Sequence, residues 1–557
     1  MGASSNEDLQ RLRREWEENE VKRAVERMPE RPDTSSWSGL PIKRLYTPED
    51  LAGTSYADDI GFPGQFPFLR GAQPTGYRGK MWTRRPITGF NTARITNERV
   101  RQLLQAGQTG LHFVFDYPTL AGYDADHPLA EGEIGVSGVP INSIEDMRTL
   151  LDGIEIDKVS ISYSHWGPYI LSFLLAVADE RGIPYSRISG TTQGDVLMYF
   201  HSCPWWDLPL RANMRLFVDV AEFTARNMPR WNPISISGYN IRDGGCTAVQ
   251  EMAFTFGDAI AYLDACLERG LKVEEIAPRF SFMLCAHIDF FEEICKMRAM
   301  RRMWARIIRD RYGCEHAPSQ TLRFHAQTSG VALTAQDPLN NVARGAIQAM
   351  AAVLGGAQSL HISCFDETYG LPTEQAARVS LNTQNVVAFE ARVGETVDPL
   401  GGSYFVETRT NELESEAWKM LSDIERLGGM VAAAESGWVR EQKLAWARHY
   451  QKEVDEGSRV IVGVNRFQPS QQQSIPYTSP DEEAQREQRE RTAAFKRNRN
   501  QAAAAAAKRA LAKCAAAGGN TVPAAIRAAR DGVTLGEMFE AMRSVHGEVS
   551  SEDKRYM

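Results

Sequence analysis

The chain has 557 residues, 43% of them hydrophobic, and carries 63 Lys and Arg against 71 Asp and Glu for a formal charge of −8. That apolar fraction fills a sizeable core and excludes disorder throughout, while the acidic balance leaves no global basic field to hold nucleic acid. The eight cysteines, at 203, 246, 266, 285, 295, 314, 364 and 514, form no CxxC pair, so neither a zinc nor a disulfide framework is spelled out, and reduced thiols in a cytoplasm fit.

The N-terminus, MGASSNEDLQRLRREWEENEVKR, has no apolar signal core and no acid-poor transit character; its first residues match a myristoylation pattern, but so short a match carries little weight. The most apolar stretch, 169–178, is about half the length that crosses a bilayer. No membrane span is expected, and the expected location is cytoplasmic. Residues 1–38 read as a charged helical arm followed by a Pro, Ser and Gly linker. From 39 to 400, short β-like runs alternate with amphipathic helical stretches, with candidate strands at 111–115, 159–164, 187–191, 234–237, 279–284, 322–327 and 359–364 and another near 83–90. Eight such strands predict an α/β fold, a (β/α)8 TIM barrel. Residues 401–465 read as a helical capping segment, and 466–557 as a polar linker and C-terminal helical extension. The basic, alanine-rich part of that extension, 486–513, has few aromatics to stack on bases. It is expected either against a partner protein or as a solvated helix, and removal of residues 466–557 is expected to weaken assembly with that partner while leaving the barrel folded.

One phase of these strands is polar: Ser160, Ser162 and Ser164; Ser235 and Ser237; Arg323, His325 and Gln327; Ser359, His361 and Ser363. Parallel strands buried on both faces read instead as continuous Val, Ile and Leu runs. With helices outside, the polar phase faces the barrel axis and lines a polar bore that admits a chain-like ligand. An antiparallel sheet with one wet face is the alternative. His325 and His361, on separate strands, could also face each other as a mononuclear metal site, although no Cys or carboxylate stands at ligand spacing.

PGQFPFLRG at 63–71 is followed in order by WTRRPITGF, GYDADHP, SGTTQGD, NPISISGYN, APRFSF, LRFHAQTSG, LTAQDPLNN, GGAQSLH, DPLGGSYFVE and VIVGVNRF. This series resembles the large, substrate-binding subunit of the adenosylcobalamin-dependent acyl-CoA mutases, the methylmalonyl-CoA mutase family. The N-terminal arm and TLGEMFEAMRSVHG are most similar to the two-component branch of 2-hydroxyisobutyryl-CoA mutase type. The resemblance implies a barrel whose bore threads the pantetheine arm of CoA, cobalamin at the C-terminal ends of the strands, and radical 1,2-rearrangement of an acyl group. It implies catalytic roles for Asn240, Gln193 and Tyr239, with Gln193 near the acyl group and Tyr239 against the corrin and adenosyl group. Glu367 falls at the adenosyl ribose, and Thr75, Thr83, Arg85, Asn232, Arg279, Ser281, Arg323, His325, Gln327 and Ser359 fall along the CoA channel or substrate pocket. Taken singly, each of these is equally a satisfied polar residue of a barrel wall.

The family's cobalamin domain gives a histidine to cobalt from a DxHxxG motif, which this sequence lacks; Asp124-Ala125-Asp126-His127-Pro128 has neither the spacing nor the glycine and is expected as a loop of Asx-type turns. The resemblance therefore implies a separate, smaller cobalamin-binding subunit, with a heterotetramer of two large and two small chains and a G-protein chaperone as further partners. Methylmalonyl-specific members carry an arginine and a tyrosine where this chain has Cys203 and Ile87, and hydroxyisobutyryl-specific members carry an aspartate at the position of Val114. A buried carboxylate without a cation costs several kcal/mol. A short branched, apolar acyl group, isobutyryl-, isovaleryl- or pivalyl-like, is accordingly expected between Ile87, Val114 and Cys203. A 2-hydroxyisobutyryl-CoA-type subunit and a non-catalytic CoA-binding paralogue are the alternatives. Asn240 stands where the family has histidine, and an amide donates a hydrogen bond but cannot transfer a proton. Three readings stay open: a slower reaction or easier substrate with Asn240 and Gln193 as dipoles, a substrate whose shape needs the smaller side chain, or a weak paralogue.

Overall fold

The computed structural model describes residues 6–30, 35–202, 208–471, 475 and 481–549. Eight strands form its centre. They are β1 in two pieces (Thr83–Arg84 and Ile87–Thr88), β2 (Gly110–Val114), β3 (Ser160–Ser164), β4 (Ser189–Thr192), β5 in two pieces (Trp231–Asn232 and Ile234–Ser237), β6 (Phe280–Ala286), β7 (Phe324–Thr328) and β8 (Ser359–His361). All their pairings are parallel, which removes the antiparallel alternative.

The divided strands close the barrel. The first piece of β1 pairs with β8, Thr83 opposite Ser359, and the second pairs with β2, Ile87 opposite His112. The first piece of β5 pairs with β4, Thr191 opposite Asn232, and the second pairs with β6, Ser235 opposite Ser281. Every strand therefore has two neighbours. Each break falls at a proline, Pro86 or Pro233, which has no N–H for the ladder, so each strand changes partner across it. β8 is shorter than the sequence suggests. After His361 the chain leaves the ladder, and the Ser363 N–H donates instead to the Thr328 hydroxyl at 2.8 Å.

Helices between the strands wrap the outside. The N-terminal arm is helical from Asn6–Trp16 through Glu17–Val21 to Lys22–Arg27, with no buried residue in its last two parts. Tyr404–Arg426 packs on the outer helices Ala248–Glu268 and Phe290–Arg306. Tyr169–Glu180 is apolar around most of its circumference and buried from Tyr169 to Ala178, because the barrel covers one side and the C-terminal helices Thr521–Arg530 and Leu535–His546 cover another. The Phe539 ring stacks on Tyr169 with centroids 4.0 Å apart.

The DADHP segment is more than a surface loop. Asp124 is 4% exposed; it accepts from the Thr534 hydroxyl at 2.6 Å and the Gly536 N–H at 2.8 Å, and Lys496 lies 2.9 Å away. Asp126 takes the same lysine at 2.6 Å. These carboxylates anchor the C-terminal extension to the barrel within one chain. Removing residues 466–557 would uncover the outer face of Tyr169–Glu180. Among the described residues no helix is long and apolar enough to cross a membrane.

Candidate active site

The polar phase faces the axis. Thr83, Arg85, Asn232, Ser281, Arg323, His325 and Ser359 line an axial cavity of about 240 Å³. At the N-terminal ends of the strands it meets a wider space of about 1320 Å³, where Arg279 stands with Lys80, Arg84, Lys158, Arg230 and Lys272 and the only acids among the described residues are Glu274 and Glu275. Thr75 is exposed on the turn leading into Gly76–Arg78, outside the lining of the bore.

Within the bore, Arg85 has hydroxyl and carbonyl partners. It donates to the Ser160 hydroxyl at 2.9 Å, the Ser162 hydroxyl at 3.0 Å and the Leu111 carbonyl at 2.7 Å, and burial draws its pKa down to about 10. Asn232 donates to the Thr191 hydroxyl at 3.0 Å, and the Ser281 hydroxyl to the Ile234 carbonyl at 3.1 Å. Arg279 donates to the Met228 carbonyl at 3.0 Å, and Arg323 to that of Pro278. His325 Nδ1 lies 2.7 Å from the Ser359 hydroxyl. His325 Nε2 and Gln327 Oε1 are buried without a partner. An unpaired buried polar atom costs roughly 1–3 kcal/mol, so two of them in the bore-facing phase mark a place that a polar ligand completes. His361 Nδ1 accepts the Ile87 N–H at 3.2 Å.

Toward the C-terminal ends of β1 and β2 two positions of the bore-facing phase are apolar. Ile87 and Val114 share the bore-facing phase of adjacent strands; at Gly89, two residues on, an added Cβ would stand 2.1 Å from the Val114 carbonyl oxygen, so only glycine fits. Gln193 ends β4, 6% exposed, and its Oε1 accepts the Ser164 hydroxyl at 2.5 Å. The helix Gly238–Asp243 starts directly at the end of β5, capped by Ser237. The Ser237 hydroxyl donates to Asn240 Oδ1 at 2.7 Å, and its N–H is held by Asp195 at 2.7 Å. A Cβ on Gly238 would lie 2.8 Å from Thr255 Oγ1 and 2.9 Å from Glu251 Oε1, so glycine permits this abrupt strand-to-helix step.

Tyr239 is bonded to Asp243, and burial pushes its hydroxyl well above the ordinary range. Asp243 also accepts the Ser329 hydroxyl at 2.7 Å and the Gly330 N–H at 2.8 Å, tying Tyr239 to the loop after β7. Glu367 follows β8; its Oε1 accepts the Cys364 N–H at 2.6 Å, and burial raises its carboxyl to about 7. Cys203 lies outside the described residues. The structure thus gathers Gln193, Asn240, Tyr239, Ile87, Val114 and Glu367 at the C-terminal end.

Sequence reasoning missed His112, Met283 and Asp243. His112 lines the bore, its two ring nitrogens 2.7 and 2.9 Å from the Ser162 and Ser164 hydroxyls, and Gln193 Nε2 contacts the Met283 sulfur. Strand parity carries the signal for the first two: His112 is two residues before Val114, and Met283 two after Ser281.

Residues 35–548 match the family described as Methylmalonyl-CoA mutase. The chain is 38% identical over 548 residues to the 2-hydroxyisobutanoyl-CoA mutase large subunit of Aquincola tertiaricarbonis, covering 97% of each. It is 42% identical over 518 residues to the methylmalonyl-CoA mutase of Rhizobium meliloti (strain 1021), covering 92% of this chain and 72% of that one. Against the mitochondrial methylmalonyl-CoA mutase of Homo sapiens the identity is 38% over 549 residues, covering 98% and 73%. Matched along nearly its whole length, the chain belongs to the methylmalonyl-CoA mutase family of adenosylcobalamin-dependent acyl-CoA mutases, and is an isomerase.

Proposed function

We propose that the chain is the large subunit of a two-chain mutase that rearranges the carbon skeleton of a short branched, apolar acyl-CoA. The observation that supports this most directly is a cationic mouth opening into a bore lined by hydroxyls, histidines and amides, whose inward-facing phase continues to Ile87 and Val114. The mouth suits the phosphates of CoA. The middle suits the amides of pantetheine. Ile87 and Val114 offer neither a cation for a carboxylate nor an acceptor for a hydroxyl, and a site without the matching polar group rejects the polar substrate.

The C-terminal face fits a large flat cofactor: Gly330 approaches the Tyr239 hydroxyl, and Val331 and Leu339 of the same loop are 56% and 59% exposed. Tyr239 and Glu367 are the residues that would meet it. Adenosylcobalamin, when bound, supplies the carbon radical that takes a hydrogen from the substrate. The chain's own part is to seat CoA, exclude water and orient the thioester. Gln193 and Asn240 polarise its carbonyl by hydrogen bonding, without a proton to transfer.

The relative named a large subunit supports a separate cobalamin-binding small subunit. Two large and two small chains, served by a G-protein chaperone, complete the proposal. Turnover of an acyl-CoA panel by the assembled enzyme tests it. Isobutyryl-, isovaleryl- or pivalyl-CoA should exceed methylmalonyl- and 2-hydroxyisobutyryl-CoA in kcat/KM by at least about tenfold. Val114→Asp should gain hydroxyacyl activity, and Asn240→His should change kcat more than KM. Preference of the unmutated enzyme for a hydroxy- or carboxy-acyl group would overturn the substrate assignment; no turnover of any acyl-CoA would leave a CoA-binding paralogue.

A further inference from the structure

We infer that His112 is a positioning residue: through a one-way chain of hydrogen bonds anchored on Arg85, it sets which end of the Gln193 amide faces the acyl group. The inference rests on the acyl-CoA reading of the bore.

The direction follows from what each group can give. Arg85 only donates, and its Nη1 reaches Ser162 Oγ at 3.0 Å. Ser162 keeps one proton, for either the Leu111 carbonyl at 3.1 Å or His112 Nδ1 at 2.7 Å. The Nδ1 contact is the shorter of the two and falls at the usual hydroxyl hydrogen-bond distance, so the proton goes to Nδ1. Burial, with Arg85 and His361 nearby, draws the His112 pKa down to about 3. The ring is therefore neutral near pH 7, and its single proton sits on Nε2. Nε2–H donates to Ser164 Oγ at 2.9 Å, and Ser164 passes its own proton to Gln193 Oε1 at 2.5 Å.

The far end agrees. Gln193 Nε2 stands against the thioether of Met283, which accepts and cannot donate. Reversing every link would set the amide oxygen against that sulfur, two acceptors face to face. The short Ser162–His112 contact at one end and the acceptor-only sulfur at the other thus select a single polarity, which leaves the Gln193 amide its second N–H for the bore whose lining it joins. Asn240 Oδ1 likewise accepts a hydroxyl, that of Ser237. The site is built for a ligand with an acceptor at that height, the thioester carbonyl, and His112 transmits the setting without touching it.

Calorimetric titration of the full-length chain with a short branched acyl-CoA and its S-alkyl thioether, in which CH2 replaces the carbonyl, reads this directly. A hydrogen bond to a neutral acceptor is worth roughly a two- to tenfold difference in affinity, so the unmutated chain should favour the thioester by about that factor. His112→Phe and Ser164→Ala should bring the ratio of the two dissociation constants close to one, which a loss of packing, weakening both compounds alike, would not do. Circular dichroism establishes that each variant is folded, and Ser164→Ala decides alone if His112→Phe is not. A thioester preference that survives in the folded variants overturns the inference, as does an unmutated chain that binds both compounds equally. Failure to bind either compound would instead overturn the acyl-CoA reading, and the relay with it.

Discussion

His112, His325 and His361 stand inside the bore, and burial holds all three well below the ordinary histidine range, His112 and His361 at about 3. Above about pH 6.5 a histidine is neutral whether folded or not. Below that, the unfolded chain takes up protons that the folded chain refuses, so each histidine's share of stability is lost as pH falls from about 6.5 toward 3, by about 1.4 kcal/mol per pH unit at most. Asp195 and Glu367, raised to about 7, act in the opposite sense between the ordinary carboxylate range and 7, since they are protonated only in the folded chain. The histidine effect is therefore read as a difference. His361→Gln keeps an acceptor for the Ile87 N–H and removes the titration; beside it stands Glu367, 3.9 Å from Nε2. From pH 6.5 to 4.5 the variant should gain on the unmutated chain by about 1.4 kcal/mol per pH unit in urea unfolding. Parallel stability curves would show that His361 is not held neutral.

The strand-to-helix step at Ser237 and the docking of the C-terminal helices are decided at the scale of elements. A helix as apolar as Tyr169–Glu180 is stable only when covered on several sides, and here its own chain supplies the cover some 350 residues later. Phe539 carries much of that contact, stacked on Tyr169 and lying where a Cβ on Gly122 would meet its ring at 2.3 Å. Phe539→Ala leaves a ring-sized void and should cost about 3–5 kcal/mol in chemical unfolding, with the lost stability concentrated in hydrogen exchange at 169–180 and 521–546. A cost below about 1 kcal/mol would mean that the extension is only loosely attached.

As a whole, the molecule is a closed barrel with two different ends, a cationic mouth at one and, at the other, the loop that approaches Tyr239 with Val331 and Leu339 exposed on it. With no DxHxxG histidine, the chain alone should bind cobalamin weakly, and addition of the small subunit should produce a stoichiometric complex visible by the cofactor's absorbance. Tight, histidine-ligated cobalamin on the chain by itself would refute the division of labour. Much of this was legible in the residues. A two-residue period is written into each strand, so the eight βα units and the polar phase could be read directly, and the family motifs supplied Gln193, Tyr239, Asn240 and Glu367 with an expected role for each. Parity would have placed His112 on the bore as well, but its neighbours Leu111, Phe113 and Phe115 disguised it as part of an apolar run. By itself the sequence determined the class of fold, the polar lining and the absence of a cation at Ile87 and Val114, because these depend on local period and residue chemistry. Only the tertiary structure decided the seams at Pro86 and Pro233, the relay from Arg85 to Gln193 and the seating of the C-terminal helices on Asp124 and Tyr169. Each of these joins residues distant in the chain through contacts whose partners no local pattern names.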